Sequence, residues 1–364
     1  MTETPAWDGY RAFVVTEKVA ESETVASFYL KPEEGGALPA FRPGQYIGVK
    51  LDVPGEIVPV MRSYTLSDSP ARLDHYRLSI KREPAPADAA DAPPGAASNF
   101  MHDHVEVGSV LQLRAPGGDF VLRAEGKGPV VLLAGGIGCT PLLSMLTAVA
   151  DAGSARDVWF VQGVRNGAEH AFGEHVRALA AAHPNIHVHV RYSRPGPADV
   201  EGRDYDSVGH IDVELLRRLG IGTWPQFYMC GSTPFMQALY KGLIDWGVDA
   251  FQINYEFFGA ACDLLGRDQP KPQAEDTGES HQVTFKASGV TATWTPASGS
   301  ILGLAEATGV KAASSCRSGI CHTCLARVVE GGFAYTHDEI IPPSGDDELL
   351  ICSARPTGDL VLDV

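Results

Sequence analysis

VVLLAGGIGCTPLLSMLTAVA, Val130–Ala150, is the stretch on which the fold turns. No charge occurs from Gly128 to Ala150, a length that on paper spans a bilayer. Its middle, Gly135-Gly136-Ile137-Gly138-Cys139-Thr140-Pro141, would break a membrane helix. The apolar run Val130–Leu133 suits a strand covered on both faces, and Pro141 suits the first turn of a following helix over Pro141–Ala150. Strand, glycine turn and helix then form one βα unit. Glycines there let a phosphate approach the backbone, and the helix N-terminus favours an anion. Pro141 stands where the third glycine of G-x-G-x-x-G would be, and a purely structural turn would look the same.

Downstream the alternation continues, with strands at Val158–Gln162, Ile186–Tyr192, Gln226–Cys230 and Gln252–Phe257. Helices at Glu169–Ala182, Val213–Leu219 and Pro234–Trp246 separate them, as in a parallel sheet with helices on both faces. Upstream the grammar differs. Arg11–Val19, Thr24–Leu30, Gln45–Leu51, Tyr64–Ser67, Tyr76–Lys81 and Val110–Leu113 are short alternating runs, the pattern of an antiparallel barrel. Glu83–Ala97 reads as a loop, and Ser98 as the N-cap of a short helix. Beyond residue 262, the polar, proline-rich stretch DLLGRDQPKPQAEDTGESH marks a linker. Two strands, Gln282–Lys286 and Val290–Thr295, and a helix at Ser300–Thr308 open a compact final unit. The expected domains are 8–124, 125–262, a linker at 263–281, and 282–364.

That last unit carries Cys316-x4-Cys321-x2-Cys324, then Cys352 after 27 further residues. This is the plant-type [2Fe–2S] ligand spacing. Zinc sites pair C-x2-C with a second close pair, and Cys352 is solitary. Gly319 suits a loop folded tightly round sulfide. His322 is read as a surface neighbour of the cluster. Seven cysteines in 364 residues are no disulfide scaffold, and Cys139, Cys230 and Cys262, outside the cluster set, imply a reducing compartment. The N-terminus shows no signal-peptide pattern, so a cytoplasmic protein is expected. A net charge of −16 argues against nucleic acid and an anionic membrane as partners. Asp346-Asp347-Glu348, just before Cys352, is a solvated turn or part of a docking face for a basic partner.

Arg62-Ser63-Tyr64-Thr65, GGIGCTP and CGSTPFM together resemble the ferredoxin–NAD(P)H reductase superfamily. The match narrows: PGQY, RSYTLSD, IKREP, SNFMHDHV, EGRDYD and NYEFFG run in the order found in the reductase half of flavohaemoglobins, over roughly residues 8–260. The globin is missing in front and a ferredoxin-like domain follows, an order similar to the phthalate dioxygenase reductase type. The resemblance implies a flavin-binding β-barrel, an α/β nicotinamide-binding domain and an α+β ferredoxin-like (β-grasp) domain. It places Tyr46, Arg62, Ser63, Tyr64 and Thr65 against the flavin, with Gly95 and Ser98 near its pyrophosphate. Glu256, Phe257 and Phe258 would close over the flavin. Gly135, Gly136, Gly138, Thr140 and Pro141 would hold the nicotinamide nucleotide, whose ring lies near Cys230 and Gly231. Thr65, Cys230 and Glu256 are the residues assigned to the catalytic centre. His102 and His104 lie in the same matching stretch but carry no metal spacing, and are read as surface positions.

The cofactors so implied are FAD, with FMN as the alternative, a [2Fe–2S] cluster, and NADH or NADPH. Arg165-Asn166 follows the second α/β strand, where an adenosine ribose lies in such folds; NADH is the favoured donor. The expected activity is electron transfer from NAD(P)H to a protein acceptor, an oxygenase component of the Rieske type. Alternatives are a stand-alone reductase of small acceptors and a redox-sensing regulatory subunit.

Overall fold

The computed structural model describes residues 7, 9–55, 59–85, 95–123, 128–258, 264, 280–312, 319, 324–336, 340, 343, 345 and 347–364. Cys262, Cys316, Cys321, His322, Asp346 and nearly all of the expected linker lie outside them. Backbone contacts divide the chain into two compact units, Met1–Pro59 with Ser63–Phe258, and Gly259–Val364 with Val60–Arg62.

The first sheet is built from β1 (Arg11–Ala20), β2 (Val25–Pro32), β3 (Tyr46–Leu51), β4 (Val60–Thr65), β5 (Tyr76–Lys81) and β6 (Val110–Leu113), with α1 (Ala96–His104) before β6. Its order is β4-β3-β6-β1-β2-β5. β1 pairs antiparallel with β2 and β6, and β2 with β5. Just past β4, Leu66 bridges Leu78 of β5, so the two edges meet and the sheet closes as a barrel. The alternation that suggested strands is the inside–outside pattern: β3 buries Ile47, Val49 and Leu51 and leaves Tyr46, Gly48 and Lys50 half-buried.

The second sheet comprises β7 (Val130–Gly135), β8 (Val158–Val164), β9 (Ile186–Tyr192), β10 (Ser207–Val208), β11 (Gln226–Gly231) and β12 (Ile253–Phe257). Its helices are α2 (Cys139–Asp151), α3 (Gly173–Ala182), α4 (Val213–Arg218) and α5 (Thr233–Trp246). All pairings are parallel, in the order β10-β9-β8-β7-β11-β12. The chain steps one way from β7 to β8 and β9, and the other way through β11 and β12. β7 and β11 therefore flank the switch point, where open α/β sheets leave a crevice at their carboxyl ends. α2 opens two residues earlier than expected. Pro141 is its third residue, still among the first N–H positions that lack an intrahelical acceptor, so the ring costs no bond. The helix expected over Glu169–Ala182 is shorter, because Phe172 takes a left-handed backbone (φ 65°) that ends the preceding turn and starts α3 at Gly173.

The last unit holds β13 (His281–Phe285), β14 (Val290–Trp294), α6 (Ile301–Ala307), β15 (Leu325–Glu330), β16 (Phe333–Tyr335), β17 (Glu348–Leu350), β18 (Ala354–Pro356) and β19 (Leu360–Leu362). Its mixed sheet, β14-β13-β19-β15-β17, has β13 parallel to β19 and antiparallel to β14. The Ser300 side chain caps α6 by accepting from Gly303 N–H at 3.1 Å. Among the described residues no helix is long and apolar enough to cross a membrane.

Candidate functional site

The crevice is made by glycines. Gly136 adopts φ 54°, which turns the chain at the end of β7. A methyl group on Gly138 would overlap the Cys230 carbonyl and lie 2.6 Å from the Gly231 nitrogen. One on Gly135 would stand 2.9 Å from the Phe235 ring, and one on Gly231 2.6 Å from it. The absence of side chains thus lets the α2 turn touch β11 and lets Phe235 lie across both. A cavity of about 510 Å³ opens there, bounded by Gly135, Gly136, Gly138, Gly231, Phe235 and Phe258 among others. Thr140 and Pro141 are buried beneath the turn, with Thr140 Oγ1 donating to the Ile137 carbonyl at 3.2 Å. A backbone this bare beside a helix N-terminus fits a dinucleotide pyrophosphate.

Cys230 is the penultimate residue of β11, beside this floor, and is fully buried. Burial first, then the nearby Glu256 charge, push its thiol well above the ordinary range. It is a neutral S–H and not a nucleophile. Cys139, at the head of α2, is equally buried and pushed up to about 12. Glu256 stands opposite Cys230 in the β11–β12 register. Its stem is half-exposed, yet Oε2 is buried with no hydrogen-bond partner among the described residues. Burial pushes this carboxyl up to about 8. A protonated acid, an S–H and two aromatic residues, Phe257 and Phe258, therefore close the β11–β12 end of the sheet.

On β4, Arg62 and Ser63 are exposed, Tyr64 is half-buried and Thr65 is buried. Arg62 Nη1 donates to the Met61 carbonyl at 2.7 Å. Thr65 Oγ1 is buried and has no hydrogen-bond partner among the described residues. The edge of the Tyr46 ring packs on Gly118, where a methyl group would stand 2.8 Å from it. Ser98 is not the N-cap. That place belongs to Gly95, and Ser98 Oγ donates to the Gly95 carbonyl (3.1 Å) while accepting from Glu83 N–H (3.2 Å). These bonds fasten the open start of α1 to the end of β5. The orphan hydroxyl and the uncapped helix start fit a flavin nucleotide. His102 is half-buried at the surface. Its Nε2 donates to the Ile80 carbonyl at 2.9 Å and its ring meets Phe28 edge-on, while burial lowers its pKa. His104 is exposed.

In the last unit Cys324 and Cys352 are buried in one core with Leu349, Leu350 and Ile351. Cys352 Sγ is 3.3 Å from Ser353 Oγ. Gly319 takes φ 73°, and a methyl there would stand 3.0 Å from that same hydroxyl. The left-handed turn beside Cys352 and the paired burial of two thiols fit a cluster wrapped by tight backbone. Asp347 forms a 2.6 Å ion pair with Arg327.

Sequence reasoning picked out Arg165 on the rim of the cavity but missed its charged neighbours Lys81 and Glu169. Lys81 of β5 and Arg165, just past β8, both reach Glu169, at 3.3 and 3.8 Å. It also missed Asp68, buried behind β4, which contacts His75 at 3.1 Å. Burial alone would raise the Asp68 carboxyl. The His75 hydrogen bond, the charges of Arg77 and Arg72 and the Ser69 N–H outweigh it and hold the group at about 2.

Three family descriptions match in chain order: "Oxidoreductase FAD-binding domain" over residues 12–122, "Oxidoreductase NAD-binding domain" over 132–241, and "2Fe-2S iron-sulfur cluster binding domain" over 283–357. A flavohemoprotein of Halalkalibacterium halodurans is 43% identical over 258 residues, 71% of this chain and 62% of that protein. The chain thus spans under two thirds of the curated relatives it matches. The FAD/NAD-binding domain of a nitric oxide dioxygenase from Vibrio cholerae is 34% identical, covering 68% of this chain and 98% of that one, with a TM-score of 0.60. Phthalate dioxygenase reductase, described as a modular structure for electron transfer from pyridine nucleotides to [2Fe–2S], covers 98% of both chains at 21% identity and a TM-score of 0.58. That last likeness is one of fold.

Proposed function

The chain belongs to the FAD/NAD-binding reductase family of the flavohemoprotein type, extended by a C-terminal [2Fe–2S] ferredoxin domain, and we propose that it feeds electrons to a protein acceptor, an oxygenase component of the Rieske type. It is an NAD(P)H-dependent flavin/iron–sulfur oxidoreductase that uses FAD, NAD(P)H and a [2Fe–2S] cluster. The domain order shared in fold with phthalate dioxygenase reductase supports the oxygenase reading. We place the domain limits at 8–124, 125–262 and 282–364, and take NADH as the donor.

The flavin supplies two-electron hydride chemistry and the cluster one-electron transfer. The protein's own part is placement. The turn Gly135–Gly138 would receive the pyrophosphate of the nicotinamide nucleotide, and Gly231 would let its ring lie beside Cys230, whose neutral thiol would add no charge there. Arg62 and the start of α1 at Gly95 and Ser98 would hold the flavin pyrophosphate, Tyr46, Ser63 and Tyr64 would border the flavin, and the Thr65 hydroxyl would be available to its ring. Glu256, kept largely protonated near neutral pH, presents a hydrogen-bond donor from the β12 end, with Phe257 and Phe258 excluding water. Cys316, Cys321, Cys324 and Cys352 are the cluster ligands.

One observation carries the reading: a switch-point crevice bare enough for a dinucleotide and a cysteine-centred ferredoxin fold occur in one chain. The test is an anaerobic NADH titration of the holoprotein, following flavin absorbance and the low-temperature EPR signal of reduced [2Fe–2S]. Bleaching with a rising rhombic signal is expected. Bleaching with a silent cluster would favour a stand-alone reductase of small acceptors.

A further inference from the structure

The cavity at the switch point has four charged lining residues among those described: Lys81, Glu83, Arg165 and Glu169, with His210 its one histidine. The Glu169 carboxylate is shared, Oε2 lying 3.3 Å from Lys81 Nζ and Oε1 3.8 Å from Arg165 Nη1. Arg165 directly follows β8, the second strand of the parallel sheet, where such folds present the adenosine ribose to the protein. An arginine there is the usual partner of a 2′-phosphate. Here its side chain is 58% exposed and its guanidinium already turned onto Glu169, itself paired from the barrel side with Lys81.

We propose that Glu169 is a specificity residue, holding Arg165 and Lys81 in a neutralised clamp so that the site takes a ribose 2′-hydroxyl and disfavours a 2′-phosphate. This rests on the nucleotide-binding reading of the crevice. The two cations and the two carboxylates, Glu83 and Glu169, balance. A 2′-phosphate brings about −1.5 to −2 charge at pH 7, so it meets no net attraction and faces the Glu169 carboxylate directly. Removing that one negative charge leaves Lys81 and Arg165 against the Glu83 carboxylate alone, a net positive site. The ion pairs are partly open to water and add little to stability, so Glu169→Gln, of the same shape, keeps the fold.

Isothermal titration calorimetry of the full-length holoprotein with adenosine 2′,5′-bisphosphate and with 5′-AMP tests this. Glu169→Gln should tighten the bisphosphate roughly tenfold and leave 5′-AMP within about twofold. Adding Arg165→Ala should remove the gain. The NADPH-to-NADH ratio in anaerobic flavin reduction should move the same way in the same variants. An equal change for both ligands, no change, or a gain that survives without Arg165 overturns the clamp while NADH still reduces the flavin. If NADH fails to reduce the wild-type flavin and neither adenosine ligand binds, the crevice reading falls, and the clamp with it.

Discussion

Gly138 has an ordinary helical backbone, φ −59° and ψ −3°, so alanine suits its dihedrals. What forbids a side chain is the Cys230 carbonyl against it. Gly138→Ala is expected to cost about 1–3 kcal/mol, seen in the urea midpoint, because two backbones must part. NADH affinity, measured by titration, should fall with it. Glu256 gives a second residue-scale prediction. Its folded pKa, about 8, lies above the ordinary 4.5, so the folded state holds the proton more tightly than the unfolded chain. Stability is therefore lost as pH rises from about 4.5 to 8. Glu256→Gln, which imitates the neutral acid, should gain on wild type in urea midpoint between pH 5 and 9. A constant difference across that range would show that Oε2 is not desolvated. The glycine turn was readable because its members are contiguous. The Lys81–Glu169 contact was not, since 88 positions separate two residues that no local pattern links.

At the scale of elements, the loop between β4 and β5 is tied to α2 through Asp68. The Ser144 hydroxyl of α2 donates to the Asp68 carbonyl at 2.7 Å, and Arg72 reaches both Asp68 (3.5 Å) and Asp151 (3.4 Å). Asp68→Asn should cost on the order of 3 kcal/mol, since it leaves buried donors without their charge partner. The pH dependence has two limits. The Asp68 share is present above pH 3.8 and lost as pH falls toward its folded value of about 2. The His75 pKa is raised, chiefly by its bond to Asp68, so its share is present below 6.5 and lost as pH rises through that raised value. Urea midpoints of wild type and variant should converge at the acid end and draw closer, without meeting, at the alkaline end, where Arg77, Arg72 and the Ser69 N–H still favour the Asp68 carboxylate. Elements with a strong period were legible: Tyr76–Lys81, Val110–Leu113 and Ile186–Tyr192 fall where alternation put them. Three-residue strands such as Phe333–Tyr335 and Ala354–Pro356 were not, because two turns of alternation carry no period and long-range pairing alone defines them.

Over the whole molecule, the change from short alternating strands to βα units to a cysteine loop marked three kinds of structure, and each matches a family of its own. What sequence could not mark is which partner the last unit serves, since that depends on a surface and not on spacing. The functional order of the parts can still be tested. Cys352 is buried in the core of the ferredoxin unit, and the crevice and Glu256 belong to the other. Cys352→Ser should abolish the EPR signal and lower iron and sulfide content, while anaerobic NADH still bleaches the flavin at a rate within about twofold of wild type. Reduction of cytochrome c, a one-electron protein acceptor, should fall by roughly tenfold or more. Retained flavin bleaching guards against a folding artefact, because it requires the first unit to be intact. Unchanged cytochrome c turnover in a chain that has lost its cluster would mean that electrons leave from the flavin, and the ferredoxin unit would then be no conduit.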